Sequence, residues 1–213
     1  MQNRESGKTA QPRPKMFRAL GKADPPEQVE IDGHSYRRVD ILKHDSWAAT
    51  ALYQGPPGIV VAKFNRQQSV FGLPMKWLGR RLAQRETRML QRLADLPNVP
   101  DYSGNLAINE INQLHAVTHG YVPGHPLERR EPVNDVFFPT LQQLIKDMHA
   151  RDLAYVDLSK RQNIIVGDDD KPYLIDFQIR LNLPGWWPGN GWPGRRVLRL
   201  LLEMDDSHVR KHG

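Results

Sequence analysis

Residues 155–178 read YVDLSKRQNIIVGDDDKPYLIDFQ, and the spacing inside this stretch decides how the chain is read. "NIIVG" (163–167) and "PYLIDF" (172–177) are short apolar runs rich in β-branched residues, joined by the polar turn 168–171. That is the pattern of two strands in a hairpin. A short turn sets the far ends of such strands side by side. Asn163 opens the first strand and Asp176 closes the second, so both side chains are expected at one mouth, beside the loop that carries Asp157. Three converging oxygen donors suit Mg²⁺ with phosphate, because this ion prefers oxygen ligands and keeps part of its water. Any one of the three taken alone reads more simply as a turn-capping Asx residue.

Two charges upstream support the functional reading. "IVVAKF" (59–64) is a continuous apolar run, suited to a buried strand, with Lys63 near its end. Residues 76–96 have helical periodicity, with Leu78, Leu82, Met89, Leu90 and Leu93 along one stripe, and Glu86 sits on that stripe. A carboxylate on an apolar face is costly unless paired, and a lysine in a buried strand has the same difficulty. Pairing Lys63 with Glu86 resolves both; the alternative is that Glu86 reaches water at the margin while Lys63 snorkels.

With these residues in place the chain resembles the protein-kinase-like phosphotransferases, and most nearly the small bacterial atypical kinases related to RIO-type and lipopolysaccharide-sugar kinases. "VVAKF" is similar to the strand that carries the nucleotide lysine, and "QRETRML" to the helix whose glutamate holds it. "YVDLSKRQNIIV" resembles the catalytic loop and "LIDFQ" the metal-binding aspartate motif. The resemblance spans roughly 36–180. It implies that Lys63 contacts the ATP phosphates with Glu86 holding it, and that Asn163 and Asp176 hold Mg²⁺. It further implies that Asp157 orients or deprotonates an acceptor hydroxyl, while Lys160 neutralises charge on the transferring phosphoryl group. The "HARDL" at 149–153 resembles the same loop, but Asp152 has no asparagine five or six residues later.

The chain departs from the family pattern at several points. The glycine-rich phosphate loop is replaced by "KHDSWAAT" (43–50), which has no glycine, so Lys43, Ser46 or Thr50 would have to assist the phosphates. Asn163 lies six residues after Asp157 rather than five, Tyr155 stands where histidine is usual, and Gln178 follows Asp176-Phe177 in place of glycine. About 35 residues follow Phe177, too few for the large helical substrate lobe of ordinary protein kinases.

Composition sets the outer bounds. The chain has 213 residues, 39% apolar and 25% charged, which suits one domain of two lobes. Cysteine is absent, which excludes disulfides and thiolate metal sites and fits a reducing compartment. No apolar run is long enough to span a bilayer and no signal-peptide core is visible, so a cytoplasmic protein is expected. The net charge of +6 favours anionic partners, although ordinary surface lysine and arginine account for it more simply, and no nucleic-acid-binding motif accompanies it. The Trp-rich stretch 186–192 suits either a cap on a small core or a platform for a sugar or protein. The basic-apolar segment 195–204 suits a docked helix or a peripheral membrane contact.

The expected architecture is therefore α+β: a truncated bilobal kinase-like fold with an N-terminal antiparallel sheet plus helix and a reduced C-terminal lobe. Residues 1–28 would be a flexible basic arm, 29–120 the N-terminal lobe and 121–213 the reduced C-terminal lobe. The expected activity is transfer of the ATP γ-phosphoryl group to a hydroxyl of a protein Ser/Thr or of a sugar or lipid glycan. The alternative is a catalytically weak pseudokinase acting as a nucleotide-sensing or scaffold module.

Overall fold

Two tight hairpins organise the first part of the chain in the computed structural model, which describes residues 18–69, 75–151, 153–155, 161–177 and 180–182. Strand β1 (Gln28–Ile31) turns at Asp32-Gly33 into β2 (His34–His44). Both turn residues have positive φ, 46° and 78°, the conformation that a two-residue Asp-Gly hairpin turn requires. A second turn leads into β3 (Ala48–Gly55), and Pro56-Pro57 turns β3 into β4 (Gly58–Asn65). All pairings in the sheet are antiparallel.

β2 carries two register breaks, between Arg38 and Asp40 and between Ile41 and Lys43. The extra residues, Val39 and Leu42, are exposed. Each bulge bends the strand and increases its twist. Each also resets the alternation, so that Arg37, Asp40 and Lys43 share one face while Arg38, Ile41 and His44 share the other.

Helix α1 (Lys76–Arg92) follows, then β5 (Leu106–Ile108), β6 (Ile111–Asn112) and β7 (Ala116–Gly120). The strand order is β6-β5-β1-β2-β3-β4-β7, so strands adjacent in sequence stand at opposite ends of the sheet. Laid flat, β6 and β7 would be about 29 Å apart, six strand spacings. The chain from Asn112 to Ala116 reaches at most about 14 Å. The sheet therefore curls until its ends approach. The seam is held by Ser103 N–H to Thr118 O at 3.3 Å and Thr118 Oγ1–H to Gly104 O. Val29, Ile31, Tyr36, Ala51, Tyr53, Phe64 and Leu106 fill the inside of the curl.

The remaining elements are β8 (Gly124–Pro126), α2 (Phe137–His149), β9 (Leu153–Tyr155), β10 (Ile164–Gly167), β11 (Pro172–Leu174) and β12 (Arg180–Asn182). β10 lies between β8 and β11, and β9 pairs with β12. A second core joins α1, β7, α2 and this hairpin through Met89, Leu90, Val117, Leu141, Met148 and Phe177. Arg151 grips Asp95 with two hydrogen bonds of 2.6 Å, tying the ends of the two helices together.

The α+β class, the strand over 59–64, helix α1 and the β10–β11 hairpin agree with the sequence reading. Other features differ, among them the short strands β8, β9 and β12, which the sequence reading does not give. β1 was not anticipated, although Asp32-Gly33 is its signal. Residues 18–27, read as part of a loose arm, are held in place. Ala19 is fully buried, donates its N–H to Asp45 O at 2.7 Å and accepts from Gln67 N–H at 3.2 Å, while Tyr53 Oη–H bonds Pro26 O at 2.7 Å. The buried face of α1 is also rotated: Gly79, Ala83, Glu86, Met89 and Leu90 are buried, whereas Leu78 and Leu82 are half-buried.

Gly79 explains the rotation. A Cβ at this position would lie 2.3 Å from the carbonyl oxygen of Arg66, so the helix approaches the end of β4 more closely than any side chain permits. At an ordinary helix position alanine is more stable than glycine by about 1 kcal/mol. Here Gly79→Ala is expected to destabilise by about 1–3 kcal/mol through overpacking. Urea denaturation beside an exposed control, Gln84→Ala, measures it; a stabilised Gly79→Ala protein would contradict the close approach.

Candidate functional site

β4 delivers Lys63 and α1 delivers Glu86 to one place. The register Thr50↔Lys63↔Val117 puts Lys63 on the sheet face opposite the curl interior, the face that α1 covers. Glu86 lies seven residues after Gly79, two turns along the same buried face. The close packing at Gly79 and Ala83 thus brings the Glu86 carboxylate down to the sheet. It is 1% exposed, with both oxygens 3.3 Å from Lys63 Nζ.

A third residue completes the group. Lys63 Nζ donates to Asp176 Oδ1 at 2.7 Å, across 113 positions of sequence. Burial works against the Lys63 ammonium, but the carboxylates of Glu86 and Asp176 outweigh it and hold its pKa above the ordinary lysine value. Lys63 is therefore a fixed cation with one carboxylate deep behind it and another in front.

The hairpin sets Asp176 and Asn163 together as expected. Ile164 pairs with Leu174, and Ile175 N–H bonds Asn163 O at 3.0 Å. Asn163 ends a 3-10 turn (Arg161–Asn163) and is buried. Asp176 has φ of 64°, a left-handed conformation that aspartate tolerates better than most residues. Asn98, in the connector after α1, braces the hairpin: its Nδ2–H bonds Pro172 O at 2.8 Å and its carbonyl accepts Leu174 N–H at 3.0 Å. Asn98, in the connector beyond α1, thus holds both ends of β11, the strand that leads into Asp176.

His119 borders the group on β7, directly across from Val61. Its Nδ1–H bonds Gly120 O at 2.8 Å, and burial pushes its pKa down to about 4. At neutral pH the imidazole is uncharged and adds no competing cation beside Lys63.

Lys63, Glu86, Asn163 and Asp176 are brought together. Asp157 and Lys160 lie outside the described residues, as do Gln178, the tryptophans at 186, 187 and 192, and the segment 195–204. The sequence reading missed the direct Lys63–Asp176 contact and the brace from Asn98. Among the described residues no cluster of three His, Cys, Asp or Glu side chains could hold a metal by itself. Asp176, whose side chain is 39% exposed, and the amide of Asn163 are oxygen donors suited to Mg²⁺ if water and phosphate complete its shell.

No protein-family model matches the chain, and comparison with curated proteins gives no match. Among the described residues no helix is long and apolar enough to cross a membrane.

Proposed function

We propose that the protein is an atypical kinase that transfers the ATP γ-phosphoryl group to a hydroxyl. The observation that carries this reading is Lys63 held between buried Glu86 and half-exposed Asp176, with Asn163 on the adjoining strand end. A lysine aimed by a buried carboxylate, next to a pair of oxygen donors at a strand mouth, suits polyphosphate. In this reading 29–120 and 121–213 act as two lobes around that mouth.

Lys63 neutralises the α- and β-phosphates while Glu86 fixes its direction. Asn163 and Asp176 would hold Mg²⁺, which would neutralise phosphate charge. Asp157 orients the acceptor hydroxyl and takes its proton. The acceptor oxygen bonds to the γ-phosphorus as the bridge to the β-phosphate breaks, Lys160 balances the charge, and ADP leaves. Catalysis is mainly positioning and electrostatics. The acceptor is a hydroxyl of a protein serine or threonine or of a sugar or lipid glycan.

The second reading, a nucleotide-sensing pseudokinase, is favoured by the turn 45–48. Its N–H groups at Trp47 and Ala48 are taken by Asp45 Oδ1, at 2.7 and 2.9 Å. ATP turnover and thermal shift with ATP and Mg²⁺, for wild type and Asp157→Ala, separate the two. Turnover lost in Asp157→Ala with the thermal shift retained is expected of the kinase. Binding without turnover in the wild type supports the pseudokinase instead. No shift with ATP, or an equal shift in Lys63→Ala, overturns the nucleotide site.

A further inference from the structure

We propose that Lys43 is a second phosphate-binding lysine of this site, kept on Asp45 until a polyphosphate displaces that carboxylate. The inference rests on the nucleotide reading above and supplies what the absent glycine loop leaves open. The register is its foundation. Lys43 pairs with Thr50, and Thr50 pairs with Lys63. Directly opposed residues share a sheet face, so Lys43, Thr50 and Lys63 form one row across β2, β3 and β4. Two strand spacings, about 10 Å, separate the two lysine backbones, and both side chains are long enough to converge on one polyphosphate chain above Thr50. The bulge between Ile41 and Lys43 creates this row: in an unbroken ladder Leu42 would oppose Thr50 and Lys43 would point into the curl.

The turn beyond Lys43 already behaves as an anion seat. Asp45 Oδ1 accepts from the N–H groups of Trp47 and Ala48, and Asp45 Oδ2 accepts from Lys43 Nζ at 2.8 Å. Two amides and an ammonium thus surround one carboxylate, the donor set that a phosphate oxygen uses. The backbone of the turn is pinned from the other side, with Arg66 Nη1–H on Ser46 O at 2.5 Å and Arg66 N–H on Trp47 O at 2.9 Å. A flexible loop closing over phosphates is therefore replaced by a fixed turn and a movable side chain. The Lys43 side chain is 64% exposed, and an exposed ion pair is held weakly, so a multiply charged phosphate competes with Asp45 for it.

Calorimetric titration with Mg·ATP and with AMP tests the assignment in wild type, Lys43→Met, Asp45→Asn and Lys63→Met. Asparagine at 45 keeps an oxygen for the two turn amides while removing the charge. Lys43→Met is expected to weaken ATP about tenfold and AMP less than twofold, with an unchanged unfolding midpoint. Asp45→Asn is expected to tighten ATP severalfold. If wild type binds ATP and Lys63→Met weakens it, while Lys43→Met and Asp45→Asn change nothing, Lys43 is only a turn-stabilising surface residue. If wild type binds neither nucleotide, the nucleotide reading itself fails and this inference with it.

Discussion

Lys63→Met is expected to destabilise the protein by about 3–5 kcal/mol, the cost of leaving a buried charge without its partner. Glu86 is 1% exposed and pairs with Lys63, so removing the ammonium takes the cation from a carboxylate buried beside Met89 and Leu90. Asp176 also loses Lys63, but its side chain is 39% exposed and water can solvate it. The double variant Lys63→Met, Glu86→Leu is therefore expected to recover more than half of the loss, since it replaces the buried pair with apolar volume. Urea denaturation of both single variants and the double variant gives the coupling directly. A Lys63→Met protein within about 1 kcal/mol of wild type would show that the buried Glu86 carboxylate does not depend on Lys63.

The second large effect is acid lability. Burial pushes His115 down to about 4, with Arg80 and Lys76 adding repulsion, and burial pushes His119 to about 4 as well. The hydrogen bonds agree with neutral rings. Gln67 Nε2–H donates to His115 Nε2, which must carry a lone pair, and His119 donates Nδ1–H to a carbonyl. Between the unfolded value of 6.5 and the folded value near 4, the unfolded chain binds more protons than the folded one. Stability is therefore complete above pH 6.5 and is lost as pH falls towards 4. Each histidine contributes roughly 3 kcal/mol across that window. Urea midpoints measured from pH 7.5 downwards should decline steadily below about pH 6.5, and His119→Gln should remove about half of the decline. A flat profile above pH 5 would contradict burial of both neutral rings.

The parts of the site that could be read from sequence are those where a charge breaks an apolar pattern. Lys63 and Glu86 stood out because each interrupts a hydrophobic run and each needs the other. Asn163 and Asp176 were legible because a hairpin with a polar turn fixes which ends meet. The face of α1 was harder. Periodicity favours the large side chains, Leu78 and Leu82, but the sheet backbone comes so near that only Gly79 and Ala83 fit beneath the helix. Nothing local marks Asn98 as the residue that grips β11, nor Asp176 as the second partner of Lys63, because both contacts are set by tertiary packing across long stretches of sequence.

The curled sheet also dictates the order in which the protein can assemble. β2, β3 and β4 are successive hairpins whose contacts are local, so they can form while the rest of the chain is loose. Closing the curl is different: Ile31 pairs with Leu106, 75 positions away, and the intervening chain holds β2, β3, β4 and α1. Such non-local closure is slow. Once made, it leaves little for another chain to pair with. The terminal strand β6 has two residues, and the outer side of β7 is met by Tyr102 and Ser103. Open strand edges invite aggregation. In this protein that exposure belongs to the interval before the ring closes, and a variant that slows closure should aggregate during refolding even when its folded state is as stable as the parent.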